Sequence, residues 1–253
     1  MTDFKLTTEL NQRIVDGLMD GYREYLEVRR EKSRSMKVSG AYAWVKGNHI
    51  DDQVSKACKL FGVESKLAKA GLTWQYLQFQ HHENKILFIV KNARYFNKEQ
   101  VSRGKDALGK ASKNKMSYME DLMRINSNID FKSIPTERAN RSIQLELLEE
   151  GFLNEQDHYD IGKIKSEFDR FYIVVYAIDE SQLISNISLF MPNPKDNKAY
   201  LIDDLTKYIN ASNMVQIDDE LREVLINSDD INNNMDAYKF DIGINEEITK
   251  KEG

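Results

Sequence analysis

Between residues 7 and 95 the spacing of apolar side chains changes from four to two, and that switch restricts the chain to folds in which long helices pack on a sheet. From Thr7 to Arg34, Leu10, Ile14, Leu18, Tyr22 and Leu26 recur every fourth residue, with Val15, Met19 and Tyr25 widening the row. Side chains so spaced share one helical face. Thr7 or Thr8 is placed to cap the start, and Gly17 and Gly21 allow a close backbone approach one turn apart. The helix ends in a basic cluster, Arg29, Arg30, Lys32, Arg34 and Lys37, which suits the negative end of the helix dipole. A second helix is expected over Ile50–Phe61, capped by Asn48 or Asp51 and stopped by Gly62, with a short third one from Ser65 to Ala70.

The alternating period begins at Leu72. Leu72–His81 and Lys85–Tyr95 read as strands joined at His82-Glu83-Asn84. Ile86 to Val90 is apolar on both faces and therefore expected in mid-sheet. In the preceding strand Leu77 and Phe79 face one way, while Trp74, Tyr76, Gln78 and Gln80 face the other. Residues 97–115 form a Lys-rich stretch in which Gly104 and Gly109 argue against a firm helix for its first half. Helical spacing resumes over Ser117–Ile125, and Ile143, Leu145 and Leu147 fit a strand or a helix. A second hairpin is expected at Phe171–Ile178 and Ile184–Met191, ended by Pro192 and Pro194. A strand over Ala199–Ile202 and a short helix over Asp203–Ile209 follow. Strands and helices in separate runs give an α+β fold, N-terminal helices plus an antiparallel sheet built from two hairpins. Residues 1–226 read as one domain with a sub-boundary near 127–135, and 227–253 as a loosely ordered, acidic, Asn- and Asp-rich tail.

Charge adds a constraint on partners. Residues 1–115 hold 22 Lys and Arg against 13 Asp and Glu, a net of +9, while residues 116–253 hold 14 against 28, a net of −14. Such a split points to an anionic partner for the first half, or to the two halves attracting each other. Cys58 is the only cysteine, so no intramolecular disulfide forms. With no apolar leader in Met1–Leu10, the expectation is a reducing cytoplasm. No stretch approaches the roughly 18 apolar residues of a membrane span.

Catalytic signatures are missing from the sequence. No phosphate loop, dinucleotide fingerprint, nucleophile elbow, H-E-x-x-H helix or EF-hand loop is present. His49, His81, His82 and His158 form no i, i+4 pair. The sequence therefore assigns no catalytic residue, no metal and no cofactor. Two segments concentrate binding chemistry. In Gly40–Asp52, Trp44, Lys46, Asn48 and His49 gather at the expected mouth of a helix, where free amides favour a phosphate or carboxylate; plain capping by Asn48 competes with that reading. In Val90–Phe96, Lys91, Asn92 and Arg94 leave the central strand, a usual place for functional side chains; a snorkelling arginine at a strand edge, with the aromatics completing the core, competes with that reading. Trp74 and Tyr76 offer a stacking surface for bases, unless a second layer covers them. Glu83-Asn84-Lys85 has the E-x-K spacing of metal-dependent nucleases but falls in a turn.

The segments Ala41–Trp44, Gly47–Asp51, Trp74–Phe79 and Lys91–Phe96 together resemble an uncharacterised family of bacterial proteins carried by prophages and other mobile elements of Gram-positive bacteria. The resemblance covers about residues 7–210 and implies a role in phage–host or mobile-element conflict, without naming a catalytic residue. The leading expectation is a non-enzymatic interaction protein that contacts nucleic acid, or a nucleic-acid-associated protein partner from the same locus. One alternative is a Mg-dependent nuclease-type toxin using Asp51, Asp52 or Glu83 with Lys85 or His49. The other is an antitoxin or inhibitor binding a protein partner through its acidic half.

Overall fold

The computed structural model describes residues 4–70, 74–105, 110, 116–134, 167–210 and 215–234. Its first element, α1 (Thr8–Ser35), forms on the four-residue apolar row, and Thr7 accepts the Leu10 amide at 3.2 Å as its cap. After a 3-10 turn over Gly40–Ala43 comes α2 (Lys46–Cys58). The two helices pack antiparallel through the glycine face: a β-carbon on Gly17 would meet the Val54 α-carbon at 2.6 Å. Helix α2 starts earlier than its capping residues suggested. No side chain caps it; Asn48 and Asp51 lie inside the helix, because the preceding 3-10 turn feeds directly into it.

Gly62, at φ 74°, turns the chain out of α2. The segment expected as a short helix is strand β1 (Val63–Ala70). Its helix-forming Glu, Lys and Ala residues yield to pairing along its whole length with β2 (Trp74–His81), a tertiary override of weak local propensity. Next come β3 (Ile86–Asn92), the short α3 (Ser117–Met123), β4 (Arg170–Ile178), β5 (Ile184–Asn193) and β6 (Lys198–Asp204). Pro192 lies within β5 rather than ending it. The expected helix over Asp203–Ile209 is only a 3-10 turn at Thr206–Tyr208, since β6 runs on to Asp204. Helix α4 (Asp219–Asn234) closes the described chain and takes in residues 227–234, which the sequence assigned to the loose tail. Residues 143–147 and 235–253 fall outside the described residues.

The fold is α+β, with six strands in the order β1-β2-β3-β4-β5-β6. The expected sheet of two antiparallel hairpins becomes two three-stranded meanders joined by one parallel pair, Ile86–Asn92 beside Arg170–Tyr176. A parallel join requires a long crossover, and the chain between β3 and β4 supplies it. Strands β3 and β4 are covered on both faces, as their unbroken apolar runs suggested. On one side α1 and α2 bury Ile14, Leu18 and Tyr22 against Phe79, Phe88 and Val174. On the other, Met119 and Leu122 of α3 pack on Leu87, Ile89 and Ile173. Fully buried Asn126 bonds the backbone N–H and C=O of Phe171 at 2.8 and 2.9 Å and donates to the Pro192 carbonyl at 2.8 Å. No helix among the described residues is long and apolar enough to cross a membrane.

Candidate functional site

The ladder between β2 and β3 is short. It pairs Phe79, Gln80 and His81 with Phe88, Leu87 and Ile86 and then stops, whereas β1 stays paired with β2 from Val63 to Ala70. The β1–β2 ribbon therefore parts from β3 beyond Phe79, leaving a fork whose open end lies where β3 and β4 finish. A continued ladder would set Leu77 opposite Val90. The Leu77 amide instead donates to Asp51 Oδ2 of α2 at 3.1 Å, which satisfies a backbone donor in the interior of the fork.

That placement sets the electrostatics of the fork. Burial pushes the Asp51 carboxyl up to about 7, against the opposing pulls of the Leu77 amide and the nearby Lys91. Lys91 Nζ donates to the Tyr118 hydroxyl at 2.6 Å and stands 5.2 Å from that ring. The Tyr118 ring is 5.1 Å from Tyr76, whose hydroxyl accepts Gln78 Nε2 at 3.0 Å. Burial raises the Tyr76 hydroxyl far above the usual phenol range. Gln78 is 5% exposed and its carbonyl Oε1 is buried without a hydrogen-bond partner among the described residues. At the end of β3, Asn92 donates to the Tyr176 hydroxyl at 3.4 Å and accepts the Arg94 amide at 2.8 Å, which turns the chain. Lys46 Nζ lies 5.2 Å from the Tyr25 ring, and the Arg94 guanidinium 5.9 Å from the Tyr95 ring. Cations on aromatic faces hold their positions partly through the ring quadrupole.

The residues singled out in the sequence separate into three places. Lys91, Asn92 and Arg94 lie together at the fork, and Lys46 comes to the same end of the fold through Tyr25. Trp44 is half-buried, Asn48 is exposed, and His49 faces α1 instead, its Nδ1 3.4 Å from Glu24. Glu24 also accepts Gln53 at 2.8 Å, and that bond is the main reason its carboxyl sits below the ordinary range. Trp74 opens β2, opposite Ala70. Tyr76 is no open stacking platform: α3 carries Tyr118 across it, and Gln78 and Gln80 beside it are buried.

The nuclease residues are not brought together. Glu83 and Lys85 sit in the β2–β3 turn, at the far end of β3 from Asp51, and Lys85 lies 3.8 Å from Asp169. Asp52 is exposed and paired with Lys56 at 2.6 Å. Among the described residues no three His, Cys, Asp or Glu side chains are close enough to share a metal ion.

The ribbon was hidden from the sequence pattern. Lys59, Lys66 and Lys69 are exposed and make no ion pair among the described residues. Beside them, Leu67 is 59% exposed and Leu60 92%. Assigning Ser65–Ala70 to a helix kept Lys66 and Lys69 from view; Gly62 followed by an uninterrupted eight-residue run was the signal for a strand. Comparison with protein-family models, with curated proteins and with solved structures finds no match to this chain.

Proposed function

We propose that this chain is a cytoplasmic, non-enzymatic interaction protein that contacts nucleic acid at the open end of the β2–β3 fork, in the mobile-element or phage-defence setting suggested by its resemblance. The observation that carries the reading is the parting of β2 from β3. It leaves a ribbon with the cations Lys66 and Lys69 facing solvent on one arm, and Lys91 and Arg94 at the end of the other, with Lys46 at the start of α2. Lys66 and Lys69 have no carboxylate partner among the described residues, and releasing counterions from a polyanion supplies most of the affinity of such surfaces. Phosphate contacts of this kind position a strand without reading its sequence, so the proposed activity is tolerant of sequence.

Fluorescence anisotropy with short single- and double-stranded DNA and RNA, with Mg²⁺ and at two salt concentrations, tests the proposal. The expected result is binding that weakens steeply with salt while the probe stays intact. Lys66 and Lys69 lie on opposite faces of β1, so a single strand held on one face loses one phosphate contact in a Lys66→Ala/Lys69→Ala variant, which lowers the salt slope by about 0.7. No binding at low salt overturns the proposal and leaves a protein partner from the same locus as the reading to pursue. Degradation of the probe favours the nuclease alternative.

A further inference from the structure

The basic end of α1 is covered by the chain itself. Arg34 Nε and Nη2 bond Glu220 Oε1 and Oε2 at 3.1 and 2.6 Å, a two-pronged contact. Arg30 Nη2 bonds Asp218 Oδ2 at 3.0 Å, while its Nε is buried without a partner among the described residues. The paired oxygens of Glu220 present to Arg34 the same geometry that two phosphate oxygens present to a guanidinium. The Arg34–Glu220 side chains are 55% and 56% exposed, so water and salt reach the pair and hold it only weakly.

What fixes α4 to α1 is separate from these carboxylates. Leu221 and Leu225 are buried in the core. Fully buried Arg29 donates to the Val224 carbonyl at 3.1 Å and to the Ser39 carbonyl at 2.8 Å. Arg30 and Arg34 can therefore be released while α4 stays seated. Open depressions lie over the same surface, one lined by Glu27, Arg30, Glu31, Arg34 and Ser35, the other by Arg30, Gln216, Ile217 and Asp218. Glu31 is engaged by Lys32 at 2.8 Å, and Glu27 lines the same depression.

We infer that the C-terminal end of α1 is a second phosphate-binding surface for a nucleic-acid backbone, occupied in the resting chain by Asp218 and Glu220 standing in for phosphates. The inference rests on the nucleic-acid reading above. It gives the charge asymmetry a function: part of the acidic half sits on part of the basic half and must be displaced before the second surface is used. A strand that reaches this surface meets Asp218 and Glu220 as intramolecular competitors, which lower its apparent affinity.

The test uses the full chain and a fluorescein-labelled single-stranded DNA of about 20 nucleotides, at low and at near-physiological salt. Asp218→Asn/Glu220→Gln keeps an acceptor for the Leu221 amide, which Asp218 Oδ1 now holds at 2.8 Å. Its expected effect is about threefold to tenfold tighter binding at low salt with a steeper salt slope. Glu220→Gln alone, which touches no cap, is expected to give part of that gain. Adding Arg30→Ala and Arg34→Ala should erase it. A control, Asp219→Asn/Glu223→Gln, changes the net charge equally on the same helix and should leave affinity as it is. Three results overturn the inference: no gain in either Glu220 variant, a gain that survives loss of both arginines, or an equal gain in the control. The fork reading is judged separately, by Lys66→Ala/Lys69→Ala in the otherwise unchanged chain. Its failure alone leaves a gain in the Glu220 variants intact.

Discussion

Gly21 of α1 and the α-carbon of Ile50 on α2 are so close that a β-carbon on the glycine would sit 2.5 Å from it. Backbone, not a flexible side chain, fills the space, so nothing nearby can swing aside. Gly21→Ala is expected to cost about 2–4 kcal/mol by forcing the helices apart. Gly47, inside α2, has nothing within 4 Å of its missing β-carbon. There the same substitution only removes unfolded-state freedom and should stabilise by about 0.5–1 kcal/mol. Urea melts of the two variants read opposite signs; a loss at Gly47 as large as at Gly21 would contradict the packing.

Asp51 gives the fold a pH dependence of definite sign. Its ordinary value is 3.8, and burial in the fork raises it to about 7. Between those values the folded chain binds the extra proton. Stability from this group is therefore greatest below the lower value, falls as pH rises, and is fully lost above about 7. Asp51→Asn keeps an oxygen for the Leu77 amide and removes the charge. It should raise stability by about 1–2 kcal/mol at pH 8, a figure lowered for the residue's partial exposure and for Lys91. At pH 4 it should change little. Equal differences at the two pH values would remove the carboxylate from this role.

Asn126 ties the start of β4 to the end of β5 with three buried bonds. Asn126→Ala leaves the Phe171 amide and two carbonyls unsatisfied, at an expected cost of about 3 kcal/mol. Asn126→Asp keeps the shape but offers the two carbonyls no donor, and should also lose stability, more at pH 8 than at pH 4. Thermal unfolding of both variants decides whether the amide's donors matter as the bonding pattern requires.

The Cys58 thiol is fully buried, and burial pushes it up to about 12. A thiol held protonated is a poor nucleophile. Native protein should react with a thiol reagent only as fast as it opens, and promptly in concentrated urea. Fast labelling of the folded chain at neutral pH would place Cys58 elsewhere.

Much of the fold was legible because its signals are local. The fourfold row of Leu10, Ile14, Leu18, Tyr22 and Leu26 specifies a face wherever α1 packs, and an apolar run such as Ile86–Val90 has only mid-sheet to go to. Strand β1 was not legible: most of Val63–Ala70 is exposed on a ribbon, so burial imposes no alternation on it. Half of the site could be read from Lys91, Asn92 and Arg94, which leave a central strand. Its other half, Asp51 on the Leu77 amide, Tyr118 on Lys91 and Tyr176 on Asn92, joins residues 26 or more positions apart. Their meeting is decided by the stacking of layers, which no local pattern encodes.

The parallel seam between β3 and β4 also governs the order in which the chain assembles. Every other neighbouring pair of strands is linked by only a few residues, so each meander can close over short loops at small entropic cost. The seam must bring Asn92 and Tyr176 together across the whole intervening chain, and loop-closure entropy makes such contacts slow. Two preformed halves docking at one late step is the expected route. On that route, truncating Val90, whose strand partner is Val174 across the seam, mainly accelerates unfolding, while truncating Leu189 on the β4–β5 side slows folding.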